Sequence, residues 1–142
     1  MSDDHNWSWS REQRIPSDTA VGRVLLEELL AELRRLEWDE KDVFGVHLAV
    51  EEALVNAIKH GNQEDPTKQV WVQTRVSTTL VAIEVSDEGT GFDPEAVPDP
   101  TDDENLDAPS GRGLMLMRSF MTSVEFNDSG NHVVMTKVKS EE

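Results

Sequence analysis

Apolar positions recur along the chain with two periods, and each change of period marks an element boundary. Residues 7–15 place Trp7, Trp9 and Ile15 among polar neighbours and read as a first strand at a sheet edge. Pro16, Ser17 and Asp18 stop it and offer an N-cap. Val21, Leu25, Leu29, Leu33 and Leu36 then form one stripe at near-helical spacing. Trp38, Asp39 and Glu40 break that helix, and Asp39 is placed to cap a second one running to about His60. On this second helix Val43, Val46, Val50, Leu54 and Ala57 fall on one side. Gly45, Ala49, Glu52, Asn56, Lys59 and His60 fall opposite, a strip of small and polar residues on an otherwise apolar helix. Gly61 is expected to end it as a left-handed cap.

Beyond Gly61 the period shortens to two. Residues 69–76 alternate and are rich in β-formers, and residues 80–85 follow after Ser77, Thr78 and Thr79, which predicts an antiparallel hairpin. Residues 93–110 hold four prolines, seven acidic residues and no basic one, so they read as a mobile lid-like loop. A short helix over 112–121 and strands over 123–127 and 132–139 close the chain.

With 142 residues the chain is most simply one domain, spanning 1–142. No apolar run approaches the ~20 residues of a membrane span, and the acidic start Met1, Ser2, Asp3, Asp4 is unlike a secretory signal. Cytoplasm is therefore the default location. Zero cysteines exclude disulfides and thiolate metal sites. A net charge of −16 repels phosphate backbones and anionic lipid, which argues against nucleic-acid and membrane partners. It suits a basic or mixed-charge protein partner, or serves solubility alone.

Three segments carry the candidate chemistry. Glu52 and Asn56 stand four apart and therefore side by side on the second helix. An amide oxygen is a hard neutral ligand for Mg2+, and a carboxylate one turn earlier can take a proton from a hydroxyl or water. An E-x-x-x-N pair alone reads equally as a solvated surface; the apolar remainder of the helix argues against that here. Asp87 follows an alternating strand and precedes Gly89 and Gly91. It reads either as an acceptor for an adenine amino group, with glycines permitting close approach, or as an ordinary turn. Ser110, Gly111, Arg112, Gly113 and Leu114 open a helix, and the motif reads either as an anion site made by the first amides and the dipole or as glycines that merely start the helix. Arg112 can add a charge-assisted contact to phosphate. Lys59 either reaches phosphate or is solvated, and His60 either donates from behind the site or belongs to the helix end. His47 falls on the apolar side and reads as a core histidine; His5 and His132 suggest no metal cluster.

These segments, in this order, resemble the GHKL superfamily of ATP-binding domains along almost the whole chain. Within it, the match is to the stand-alone anti-sigma-factor serine/threonine kinases. The residues that carry it are Ile15 to Asp18, Leu48 to Ala57, His60-Gly61, Asp87 to Phe92 and Gly111 to Met117. The resemblance implies an α/β two-layer sandwich, with helices on one face of a mixed, mainly antiparallel sheet and a lid at about 93–110. It implies Mg-ATP as cofactor, with Glu52 as catalytic base, Asn56 as Mg2+ ligand and Asp87 as adenine acid. Gly111 to Leu114 become the phosphate cradle, and Lys59, His60, Gly89, Gly91 and Ser110 complete the cofactor-binding set. The implied activity is phosphorylation of a serine or threonine on a small antagonist protein, with a sigma factor and a second copy of the chain as further partners. Two positions depart from the pattern. Pro109 stands where such kinases carry an arginine, and Gly130-Asn131 where Gly-Thr is common. Pro109 supports an alternative, a non-catalytic ATP-gated protein-binding module.

Overall fold

The computed structural model describes residues 7–89 and 111–140. Within them, strand β1 (Trp9–Pro16) leads to helices α1 (Thr19–Arg35) and α2 (Glu40–Val55). A π-helical turn, Asn56–Gly61, continues α2 directly. The hairpin β2 (Gln69–Val76) and β3 (Leu80–Ser86) follows, then α3 (Gly111–Phe120), β4 (Ser123–Phe126) and β5 (His132–Val138). The strands form one sheet in the order β1-β2-β3-β5-β4, and each described pairing is antiparallel. The edge position expected for β1 is observed. No described helix is long and apolar enough to cross a membrane.

Strand alternation decides which face the helices cover. Val70, Val72 and Val76 of β2, Val81, Ile83 and Val85 of β3, and Val133 and Met135 of β5 are buried on one face. The register aligns them, Val72 opposite Val85 and Val85 opposite Val133, so the apolar rows meet across strands. Helix α1 lays Leu25, Leu26, Leu29, Leu30 and Leu33 into the core. Each such leucine contributes roughly 1.5–3 kcal/mol. The buried stripe is wider than the predicted one, whose ends Val21 and Leu36 are only partly buried.

The helix ends follow local chemistry. The Asp18 carboxylate accepts from the Ala20 N–H at 2.9 Å, as its N-cap position predicts. Helix α1 stops in a Schellman arrangement: Trp38 N–H donates to Leu33 C=O at 3.0 Å and Glu37 N–H to Arg34 C=O at 3.0 Å. Glu37 occupies the left-handed position, at φ 63°, that glycine usually takes. Asp39 does sit at the N-cap of α2, but its side chain makes no capping bond.

Two expectations are corrected. Gly61 is not a left-handed cap, since among the described glycines Gly130 has positive φ and Gly61 does not. The chain turns through Gln63 and Glu64 instead, at φ 53° and 56°. His47 is not a core histidine; its side chain is 44% exposed and lies 3.8 Å from Glu51. The small residues of the α2 strip also divide in role. Gly45 and Ala49 are buried, and a methyl group on Gly45 would stand 3.1 Å from the Phe120 ring, so α3 packs closely there.

A buried carboxylate ties the end of the chain to α2. Asp42 accepts from the Ser140 hydroxyl at 2.6 Å and the Ser140 N–H at 2.9 Å, with the Lys137 ammonium 3.7 Å away. Burial alone raises its carboxyl pKa, but the Ser140 bonds and the Lys137 charge outweigh burial and hold it below the ordinary 3.8. A depressed folded-state pKa contributes stability that is present above the unfolded value and lost as pH falls through the folded one. Asp42→Ala should therefore cost about 1–3 kcal/mol near neutral pH. In thermal melts, its deficit against wild type should close as the pH is taken below 3.8.

Candidate functional site

The site is assembled where the π turn meets the loop after β3. Glu52 lies in the last turn of α2, and Asn56 follows as its C-cap with helical angles, φ −61° and ψ −42°. The pair is therefore side by side, as its spacing predicts. Asn56 Nδ2 is buried and has no hydrogen-bond partner among the described residues. A donor held in that state costs free energy unless something else meets it. Glu52 is half-buried, while Glu51 beside it is exposed. Burial pushes the Glu52 carboxyl above its ordinary value, the charge of Glu51 adds to this, and nearby His60 opposes it.

The π turn carries Ala57 and Ile58 into the core and brings Gly61 against the loop after β3. A methyl group on Gly61 would collide with the Asp87 carboxyl, and one on Gly89 would collide with the Gly61 carbonyl. Both glycines are required by close approach rather than by an unusual φ. Asp87 Oδ1 accepts from Gly89 N–H at 2.8 Å. Burial pushes the Asp87 carboxyl up, against that hydrogen bond and the charge of Lys68. Glu52 and Asp87 are thus two carboxylates partly withdrawn from water, each with its pKa raised by burial.

Other predicted residues fall into three groups. Lys59 is exposed at the helix end, and His60 is half-buried close to Glu52. Gly111 opens α3, so the positive end of that helix dipole lies at the third motif. Gly113 and Leu114 are buried in its first turn, Leu114 at 3% exposure, and Arg112 lies in the same turn. Gly91, Ser110 and the expected lid at 93–110 lie outside the described residues. A cleft between α1 and α2, lined by Gly22, Arg23, Leu26 and Leu54 among others, contains none of the predicted site residues.

One residue, Asn62, escaped the sequence reading, whereas Asn131 stands at a position already marked as departing from the Gly-Thr pattern. Asn62 is fully buried, and its side chain bonds Ser17, Gln69 and Glu88. Asn131 reaches the Gly89 carbonyl at 3.1 Å. The only sequence signal for Asn62 is a polar residue directly after the His60-Gly61 pair, which does not reveal burial.

The residues present suit a nucleotide with a divalent cation. The carbonyl oxygen of Asn56 is a hard ligand for such a cation, and its amide nitrogen is a buried donor with no partner among the described residues. Gly61 and Gly89 let the π turn and the loop after β3 close on the Asp87 carboxyl, which fixes its place.

Comparison with known proteins supports the ATPase part of this reading. The family model described as a histidine kinase-like ATPase domain matches residues 15–137. The chain is 29% identical over 129 residues to the serine/threonine-protein kinase BtrW of Bordetella bronchiseptica, covering 88% of this chain and 89% of that protein. It is 30% identical over 140 residues to the serine-protein kinase RsbW of Staphylococcus aureus, covering 92% and 88%. For the serine-protein kinase RsbW of Bacillus subtilis the figures are 28% over 135 residues, covering 89% and 83%. Among solved structures, the RsbU and RsbW domains of Rv1364c from Mycobacterium tuberculosis share its fold. The TM-score is 0.59 at 14% identity, over 94% of this chain and 34% of that one. With its helices on one face of an antiparallel sheet, the chain belongs to the histidine kinase-like ATPase domain family.

Proposed function

We propose that this chain is an ATP-dependent protein serine/threonine kinase of the anti-sigma-factor, partner-switching type. Its substrate is a serine or threonine on a small antagonist protein, and its regulatory target is a sigma factor. It acts as a single cytoplasmic domain, and a second copy of the chain is a further partner. The observation that carries this reading is the pairing of Glu52 with Asn56 on one helix face. One is a carboxylate whose pKa burial raises; the other is an amide whose donor has no partner among the described residues. The similarity to serine-protein kinases over most of both chains supports it.

The chemistry asked of the chain is modest. Glu52 accepts the proton of the attacking hydroxyl as its oxygen bonds the terminal phosphorus of ATP and the bond to ADP breaks. A raised pKa makes Glu52 a stronger base than an exposed carboxylate. Asp87 accepts from the adenine amino group, with Gly89 and Gly91 leaving room for the ring. Gly111 to Leu114, with Ser110, Arg112, Lys59 and His60, hold the phosphates. Asn56 would hold Mg2+, which when bound offsets the charge of the phosphates.

Pro109 favours a second reading, the ATP-gated binding module, because it removes the arginine expected beside Ser110. Incubating the chain with radiolabelled ATP and each small candidate antagonist from neighbouring genes separates the two. Label on a serine or threonine of the antagonist is the expected result. ATP-dependent binding without transfer to any of them replaces the kinase with the module.

A further inference from the structure

The turn after β3 is held by side-chain amides from two distant parts of the chain. Asp87 N–H donates to the main-chain carbonyl of Asn131 at 2.9 Å, and the Asn131 side-chain amide donates to the Gly89 carbonyl at 3.1 Å. Between these anchors, Glu88 N–H donates to Asn62 Oδ1 at 2.8 Å. Each residue from Asp87 to Gly89 therefore has a main-chain group fixed from outside the turn.

Both anchors are themselves restrained. Asn62 is fully buried. Its Nδ2 donates to Ser17 Oγ at 3.0 Å and to the Gln69 carbonyl at 3.0 Å. Ser17 Oγ in turn donates to the Lys68 carbonyl at 2.8 Å. Asn62 N–H donates to the Ala57 carbonyl at 2.8 Å, so the anchor is continuous with the π turn that carries Gly61. On the other side, Asn127 Nδ2 donates to Asn131 Oδ1 at 2.8 Å, and Asn127 Oδ1 accepts from Gly130 N–H at 2.7 Å. A buried amide with both its donors and its acceptor engaged is expensive to reorient.

This rigidity bears on one atom. Gly89 N–H occupies Asp87 Oδ1, which leaves Oδ2 as the oxygen to meet a ligand donor. Its direction is set by the backbone from Asp87 to Gly89, and Gly61 packs against the same carboxyl. An aimed acceptor discriminates an amino group from a carbonyl oxygen; an acceptor that can swing or admit a bridging water does so less well.

We infer that Asn62 and Asn131 are positioning residues for purine selectivity, clamping the Asp87–Gly89 turn so that the Asp87 carboxylate accepts from the adenine amino group and rejects guanine. The inference rests on the proposed adenine role of Asp87. Neither amide touches the base; each acts through the turn.

Calorimetric titration of the full chain with Mg-ATP and with Mg-GTP tests it, for wild type, Asn62→Ala, Asn131→Ala and Asp87→Asn. Losing one anchor should weaken ATP binding by roughly 5- to 10-fold while GTP binding changes little. The ATP-to-GTP preference then falls by the same factor in a variant that remains folded by thermal melt. A lowered melting temperature with a wild-type preference would mean the amides only stabilise the fold, and would overturn the inference. Asp87→Asn separates the two ideas. If it collapses the preference and both alanine variants keep it, the positioning role alone fails. If Asp87→Asn keeps the wild-type preference, the adenine reading fails and takes this inference with it. Asn131 is only partly buried, so Asn131→Ala decides the matter if Asn62→Ala does not fold.

Discussion

Asn56→Ala is expected to abolish Mg2+-dependent ATP binding, weakening it by about 100-fold or more, which corresponds to about 2.7 kcal/mol. Asn56 is the single protein ligand proposed for the metal, so its removal leaves Mg2+ held by nucleotide and water alone. The fold should tolerate the change. Asn56 Nδ2 is buried without a partner among the described residues, and deleting an unsatisfied donor removes a cost rather than a contact. Alanine also suits the helical angles at this position better than asparagine does. A variant at least as stable as wild type that no longer binds Mg-ATP is the expected pairing. Calorimetry with and without Mg2+, set beside thermal melts, measures both. Unchanged Mg-ATP affinity sinks the metal assignment.

Glu52→Gln should keep ATP and partner binding and lose phosphoryl transfer. General-base assistance typically contributes ~100- to 10,000-fold, and glutamine keeps the shape of the side chain without its basicity. Burial and the charge of Glu51 raise the Glu52 carboxyl above its ordinary 4.5, against the influence of His60. The base is active only when ionised, so wild-type transfer should fall on the acid side through that elevated value, and the residual rate of the variant should lack this limb. Stability carries the opposite sign. A carboxylate whose folded pKa is raised has its stabilising contribution below the unfolded pKa and loses it as pH rises through the folded one. Near neutral pH the ionised Glu52 is therefore a burden on the fold, and Glu52→Gln should melt at a higher temperature than wild type. Single-turnover transfer across pH and melts at neutral pH supply the readouts. Transfer within a few-fold of wild type would remove Glu52 from the base role.

Both predictions describe residues kept where stability alone would not keep them. Glu52 and Asp87 are carboxylates partly withdrawn from water, and Asn56 holds a donor unmet by the described residues. Binding sites commonly carry such costs, because the ligand supplies what the fold withholds.

What the sequence alone determined is what depends on near neighbours. The leucine stripe of α1, the Asp18 cap and the β2–β3 hairpin each arise from contacts or periods within a few residues, and each is observed where the pattern placed it. The adjacency of Glu52 and Asn56 is of the same kind, since helix geometry enforces it. Tertiary structure decided the rest. The α-helical pattern continues through Asn56–Gly61, yet the chain adopts a π turn there. Gly61 looked like a helix cap, but its missing side chain makes room for the Asp87 carboxyl, 26 residues on in the chain. His47 looked apolar by its helical phase, but the sheet and α3 cover other faces of α2 and leave it beside Glu51. Asn62 carries no mark of burial in its neighbours, because its partners Ser17, Gln69 and Glu88 come from three separate elements. Periodicity reports which face of a segment is apolar; which group will stand against that face is settled only when distant segments pack.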